Sequence, residues 1–173
     1  IFVIAGDGDL QEGVSSEAAS LAGHLGLDNL VVIYDDNHIS IDGETDLSFT
    51  EDVAMRYKAY GWNVIKVDGD GNDLAAIEKA VKKAKRYKGK PTIIKLRTEI
   101  GYGSPNKQGK ESSHGAPLGE DEVKLTKQNL GFDPEQSFYI PEEVKGSMGQ
   151  LKDKGTKAEK SWQRKFNKYA KQY

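Results

Sequence analysis

Short apolar runs alternate with segments of helical period, and this alternation narrows the folds open to the chain more than any other feature. Ile1-Phe2-Val3-Ile4-Ala5 is an unbroken apolar run, the pattern of a strand covered on both faces. Similar runs follow over residues 30–35, 62–67 and 91–96. Between the first two, Leu10, Val14, Ala18, Leu21 and Leu25 recur at helical spacing and predict a helix over 10–25. Asp9 and Glu12 have the form of a capping box at its start. A short helix is predicted over 51–60, capped by Thr50. Leu74, Ile77, Val81 and Ala84 lay an apolar stripe on another over 73–87. Strand–helix alternation with short connections predicts an α/β fold, a parallel sheet with right-handed crossovers and helices on both faces. In open sheets of this kind, ligands sit beyond the carboxyl ends of the strands.

Two such ends carry chemistry. Gly6-Asp7-Gly8 closes the first run and Asp35-Asp36-Asn37 the second. Glycines let backbone approach a ligand, and a helix start beside them offers free N–H groups to an anion. Asp7 supplies a hard anionic oxygen, Asn37 a neutral amide oxygen, and the loop after Asn37 a backbone carbonyl. That all-oxygen set suits Mg²⁺ or Ca²⁺ with diphosphate oxygens completing the shell. The chain has no cysteine and three histidines, which removes thiol chemistry and gives no zinc pattern.

The rest of the chain is less periodic. Residues 38–43 read as a loop or short edge segment with a turn at Asp42-Gly43, and 68–72 as a loop. Residues 98–119 form a long loop rich in glycine and serine; loops of that length inside a compact domain are more often functional than filler. It contains His114, whose imidazole can act as donor or acid–base group near neutral pH. Helices are predicted over 120–130 and from Pro141 onward. The segment 151–173 has eight Lys/Arg against two acids, with Ala158, Trp162, Phe166 and Tyr169 in a helical stripe; the expectation is a surface helix packing those aromatics on the domain. The boundary is placed at 140, giving an α/β domain over 1–140 and a helical extension over 141–173. A net charge of −2 and the lack of any apolar run near the roughly 18–20 residues of a membrane helix suggest neither nucleic acid nor membrane as partner. Opening on Ile in mid-strand, the chain reads as a piece or subunit of a larger protein, with an open apolar sheet edge that favours association.

Gly6-Asp7-Gly8 followed by Asn37 resembles the thiamine diphosphate-binding motif. Gly6 to Ala18, Ile33 to Gly43, Ile100-Gly101-Tyr102-Gly103 and His114-Gly115-Ala116-Pro117-Leu118 together look like the transketolase family. The resemblance covers most of 1–140 and fades in the Lys-rich tail. It implies a thiamine diphosphate-binding fold, incomplete on its N-terminal side. By the same resemblance Asp7, Asn37 and the main-chain oxygen of Ile39 hold Mg²⁺ or Ca²⁺. Gly6, Gly8 and His114 line the diphosphate, and Ile39, Ile41 and Ile100 pack on the cofactor rings. Glu12 counts with the cofactor side and, with Glu17, joins an acidic network at a dimer interface. Asp35 lies near the cofactor; His24 is structural, and His38 points outward.

The function implied is the diphosphate-side part of a cytoplasmic transketolase of the pentose phosphate pathway. Such an enzyme moves a two-carbon ketol unit from a ketose phosphate to an aldose phosphate, with His114 facing diphosphate and sugar. The family's pyrimidine-activating glutamate belongs to another domain, so the expected partner is a homodimer mate or complementary subunit. Two other readings stay open: a non-catalytic or engineered domain, and a sibling such as dihydroxyacetone synthase.

Overall fold

The computed structural model describes residues 1–173. They fall into two compact units, Ile1–Phe132 and Asp133–Tyr173. The first is built on a four-stranded, wholly parallel sheet: β1 (Phe2–Gly6), β2 (Val31–Asp36), β5 (Asn63–Val67) and β6 (Thr92–Arg97), in the spatial order β1-β2-β6-β5. A minor hairpin, β3 (Ile39–Ser40) with β4 (Gly43–Glu44), follows β2 and turns at Asp42-Gly43. The helices of this unit are α1 (Asp7–Gln11), α2 (Gly13–His24), α3 (Val53–Ala59), α4 (Leu74–Arg86) and α5 (Glu120–Asn129).

Period-two alternation along the central strands divides the core. Val32, Tyr34 and Ile93 face one way and pack with Ala19, Ala22, Val53, Tyr57 and Trp62 from the α1–α3 side. Val31, Ile65 and Ile94 face the other way, against Ala80 and Ala84 of α4. Helices therefore cover both faces. Full burial of a side chain such as Ile93 or Ile94 stabilises by about 1.5–3 kcal/mol. The Trp62 indole adds a bond, its N–H donating to the Ala19 carbonyl at 2.8 Å.

Several local expectations are corrected. Residues 1–5 are not a buried strand: Ile1, Phe2, Val3 and Ile4 are 40–77% exposed and only Ala5 is buried, because β1 is an edge strand with one neighbour. The helix over 10–25 is two helices. The backbone is extended at Glu12 (φ −66°, ψ 134°), and Asp9 turns back to accept the Gly6 N–H at 2.8 Å, so no Asp9–Glu12 capping box forms. Val14 and Leu21 of α2 and Leu25 just after it are exposed, while Ala19 and Ala22 are buried in the cluster that holds Val32, Tyr57 and Trp62. Asp52, not Thr50, caps α3, accepting the Met55 N–H at 3.0 Å. On α4, capped by Asp73, Leu74 is exposed and Ala80 joins the core instead.

The second unit contains α6 (Glu142–Gln172), 31 residues opening after Pro141. Its aromatic stripe is not buried: Trp162, Phe166 and Tyr169 are 47–60% exposed. Trp162 and Phe166 stack on each other, ring centroids 5.1 Å apart. No helix is long and apolar enough to cross a membrane.

Candidate functional site

β1 and β2 are hydrogen-bonded in parallel register, with Gly6 opposite Asp35, so the two signature ends lie side by side. A cavity of about 670 Å³ opens beyond them. Gly6, Asp7 and Gly8 line it from the end of β1, Asp35 and Asn37 from the end of β2, and Ile39 and Ile41 from the hairpin. Thr98, Glu99 and Ile100 reach it from the end of β6, and His114 from the long loop. Glu12 and Glu17 are exposed on the surface and outside this lining, and His24 is on α2, away from it.

Asp7 is the first residue of α1 and only 3% exposed. Its Oδ1 accepts the Tyr34 hydroxyl at 2.5 Å, and its Oδ2 accepts the His38 N–H at 3.1 Å. Burial pushes the Asp7 carboxyl above its ordinary range; the Tyr34 bond pulls back, and nearby Asp36 adds to the rise. Such a carboxylate is short of positive charge. Burial, then the Asp7 carboxylate, holds the Tyr34 hydroxyl firmly protonated. His38 has φ +64°, a left-handed conformation rare for residues other than glycine. This turn aims the His38 amide at Asp7 and brings its Nε2 to 3.3 Å from Asp36 Oδ1.

Asn37 is fixed by its neighbours. Its Nδ2 donates to Asp35 Oδ2 at 3.3 Å, and its Oδ1 accepts the Ile39 N–H at 2.9 Å, leaving that oxygen a second lone pair. Asp35 in turn accepts the Thr98 hydroxyl, tying the ends of β2 and β6. Asp36, 3% exposed, is ion-paired with Lys95 of β6. The Lys95 ammonium also sits 5.8 Å from the Tyr34 ring centroid.

The donor chemistry fits a hard divalent cation. No group of three or more His, Asp or Glu side chains could hold a metal, so an ion here would have to draw on amide or main-chain oxygens beside a carboxylate. Glycine is also suited to this place. A methyl group at Gly8 would meet no protein atom within 4 Å, and one at Gly6 only Asp9 Oδ2 at 3.9 Å. Protein packing thus sets no demand for glycine at these two cavity-lining positions.

The long loop is held by its own bonds. Gly103 N–H donates to Gln108 Oε1 at 2.7 Å, and Gln108 Nε2 to Glu99 Oε2 at 2.8 Å. Glu122 of α5 accepts from the Ser104 hydroxyl, and from Asn106 N and Nδ2 at 2.8 Å each. Those three bonds lower the Glu122 carboxyl to about 2.

Sequence reasoning missed Tyr34, Lys95, Thr98 and Glu122. Lys95 carried a signal, since a lysine inside the apolar run Ile93-Ile94-Lys95-Leu96 must find a partner. Tyr34 looked like any strand aromatic.

The family model described as "Transketolase, thiamine diphosphate binding domain" matches residues 1–173. The chain is 53% identical over 172 residues to the transketolase of Halalkalibacterium halodurans, covering 99% of this chain and 26% of that protein. It is 52% identical to transketolase 1 of Saccharomyces cerevisiae, covering 99% and 25%. Among solved structures, a Pichia stipitis transketolase complexed with sedoheptulose-7-phosphate superposes with a TM-score of 0.88 at 48% identity, covering 99% of this chain and 25% of that one. The chain spans about a quarter of the length of the curated relatives it matches.

Proposed function

Because this chain belongs to the thiamine diphosphate-binding domain family of transketolase, we propose that its cavity holds the diphosphate end of thiamine diphosphate with a divalent cation, Mg²⁺ or Ca²⁺. In this reading Asp7, the Asn37 amide oxygen and the Ile39 main-chain oxygen ligate the ion. Gly6, Gly8 and His114 flank the diphosphate, and Ile39, Ile41 and Ile100 lie against the rings. The observation that carries it is the convergence of Asp7, of Asn37 with Ile39, and of His114, from three separate segments, on one cavity. When bound, thiamine diphosphate supplies a nucleophilic carbon for a ketose carbonyl.

The protein's own part is charge placement and exclusion of water. The buried Asp7 carboxylate meets the cation where solvent screens it least. Ile39, 8% exposed, keeps one wall of the cavity dry. His114, exposed at the rim, can donate to diphosphate or to a sugar hydroxyl. The complete enzyme transfers a two-carbon ketol unit between sugar phosphates, and the ligand of the Pichia relative supports that substrate class. The pyrimidine end of the cofactor is met by a complementary domain or a second copy, so this chain alone turns over negligibly. Residues 1–140 form the binding domain and 141–173 the helical extension.

Calorimetric titration with thiamine diphosphate and Mg²⁺ tests the reading. Asp7→Ala abolishes the Mg²⁺-dependent binding; an affinity unchanged in that variant overturns the ion site.

A further inference from the structure

Thr98 follows β6 and lines the cavity, yet the proposed binding chemistry gives it no part. Its hydroxyl donates to Asp35 Oδ1. The other oxygen of Asp35 accepts Asn37 Nδ2 at 3.3 Å, so each carboxylate oxygen already has a donor. The Asn37 amide could face its surroundings in two ways. As placed, its Oδ1 accepts the Ile39 N–H at 2.9 Å and keeps a second lone pair. Turned by half, it would set Nδ2 against the Ile39 N–H and Oδ1 against the Asp35 carboxylate, donor on donor and acceptor on acceptor. The turned amide would also offer hydrogens where a cation needs oxygen. Thr98 itself is firmly seated. Its N–H donates to the Asp36 carbonyl at 3.3 Å, and the preceding Arg97 reaches the same carbonyl through Nη1 at 2.7 Å. The loop over 68–72 packs on this stretch of main chain. A Cβ at Gly71 would come 2.4 Å from the Arg97 carbonyl oxygen and 2.9 Å from Thr98 Cα, a space that admits only glycine.

We propose that Thr98 is a positioning residue: by holding the Asp35 carboxylate, it keeps the oxygen of the Asn37 amide, and not the nitrogen, presented to the cation. This rests on Asn37 being an ion ligand. Without the Thr98 hydroxyl, the Asp35 carboxylate can turn away, and the Ile39 N–H alone holds the amide. Asp35 carries a charge beside the site, so replacing it would change the field as well as the orientation. Thr98 carries none, which makes its hydroxyl the cleaner place to cut. Groups that orient a metal ligand from behind typically change metal affinity by about 10–100-fold when removed. Thr98 acts one bond further back, so the lower end of that range, about tenfold, is expected.

The test uses the intact chain and two readouts. Mg²⁺ is titrated by calorimetry with thiamine diphosphate present, and the Asn37 side-chain amide is followed by heteronuclear NMR with no ligand added. Thr98→Val keeps the shape of the side chain and removes the hydroxyl. Mg²⁺ affinity falls by about tenfold, and the Asn37 amide signal of the unloaded protein shifts. Thr98→Ser restores the hydroxyl and recovers most of both. Unchanged affinity, an unmoved Asn37 signal, or equal losses in Thr98→Val and Thr98→Ser overturn the proposal, since a role in packing alone has no reason to prefer a hydroxyl. Should the Thr98→Val protein not fold, Thr98→Ala is read in the same way. Asn37→Ala separates the two layers. If that variant binds Mg²⁺ as the parent does, Asn37 is no ligand and the ion site itself is wrong. If it loses the ion while Thr98→Val keeps the parental affinity, only the role of Thr98 is.

Discussion

Gly23 shows how much a single hydrogen atom can matter. It sits near the end of α2, where an added Cβ would come 1.8 Å from the Tyr60 carbonyl oxygen. Two effects oppose each other there. Alanine is favoured over glycine inside a helix by about 1 kcal/mol, and overpacking costs typically about 1–3 kcal/mol. The obstacle is main chain, not the yielding tip of a side chain, so relief requires α2 and the turn after α3 to move apart. The steric cost wins. Gly23→Ala lowers stability by about 1–2 kcal/mol, read as a thermal midpoint lower by about 2–4 °C per kcal/mol. A midpoint that rises shows the turn can yield. None of this was visible in the sequence, where Gly23 is one small residue among Ala18, Ala19 and Ala22. The same holds for Tyr34, since hydrogen bonding across strands leaves no mark in spacing. By contrast, Asp7 and Asn37 were legible because their residue types and separation are themselves the signal.

At the level of elements, hydrophobic period located most strands and helices within a residue or two. Both caps read from the sequence, Asp9 with Glu12 and Thr50, were displaced, by Gly6 with Asp9 and by Asp52. The errors arose where apolar residues are not core. Val14, Leu21 and Leu25 repeat like a buried stripe yet point outward, while alanines face the sheet. Pattern cannot distinguish an apolar face turned to the core from one turned away. The long loop was legible only as a loop; its order comes from contacts between distant segments, above all Glu122 of α5 on Ser104 and Asn106. This latch makes a pH prediction. The Glu122 carboxyl ordinarily titrates near 4.5 and is held at about 2 in the fold. A carboxyl lowered by folding stabilises above its unfolded value, and that stabilisation drains away as pH falls from about 4.5 toward 2. Glu122→Gln is therefore less stable than the parent at neutral pH, and the gap in thermal midpoint narrows across that acid window. A gap independent of pH rules out the ionised latch. Limited proteolysis at neutral pH gives a second readout, with faster cutting within residues 98–119 in the variant.

For the whole molecule, the dominant feature is how much apolar surface stays uncovered. Phe2, Val3 and Ile4 on the outer strand are 40–77% exposed, and β1 has hydrogen-bonded company on one side only. Open edges of this kind pair with other chains. The purified chain is expected to associate with rising concentration, and Ile4→Lys to weaken that association, both followed by light scattering. Equal scattering by parent and variant moves the contact elsewhere. The edge position of β1 has one more consequence, for the order in which the molecule comes apart. Asp7 reaches Asn37 only through parallel pairing that spans a whole crossover, a contact whose loop-closure entropy must be met before it forms. β2 is clamped between β1 and β6; the two edge strands, β1 and β5, are each held by one neighbour, and β1 is the more exposed of the two. Native-state opening should begin by peeling β1, which carries Asp7 off while Asn37 stays anchored. In hydrogen exchange, the β1 amides then trade fastest among the strands, and a ligand that bridges the two ends slows them more than any others.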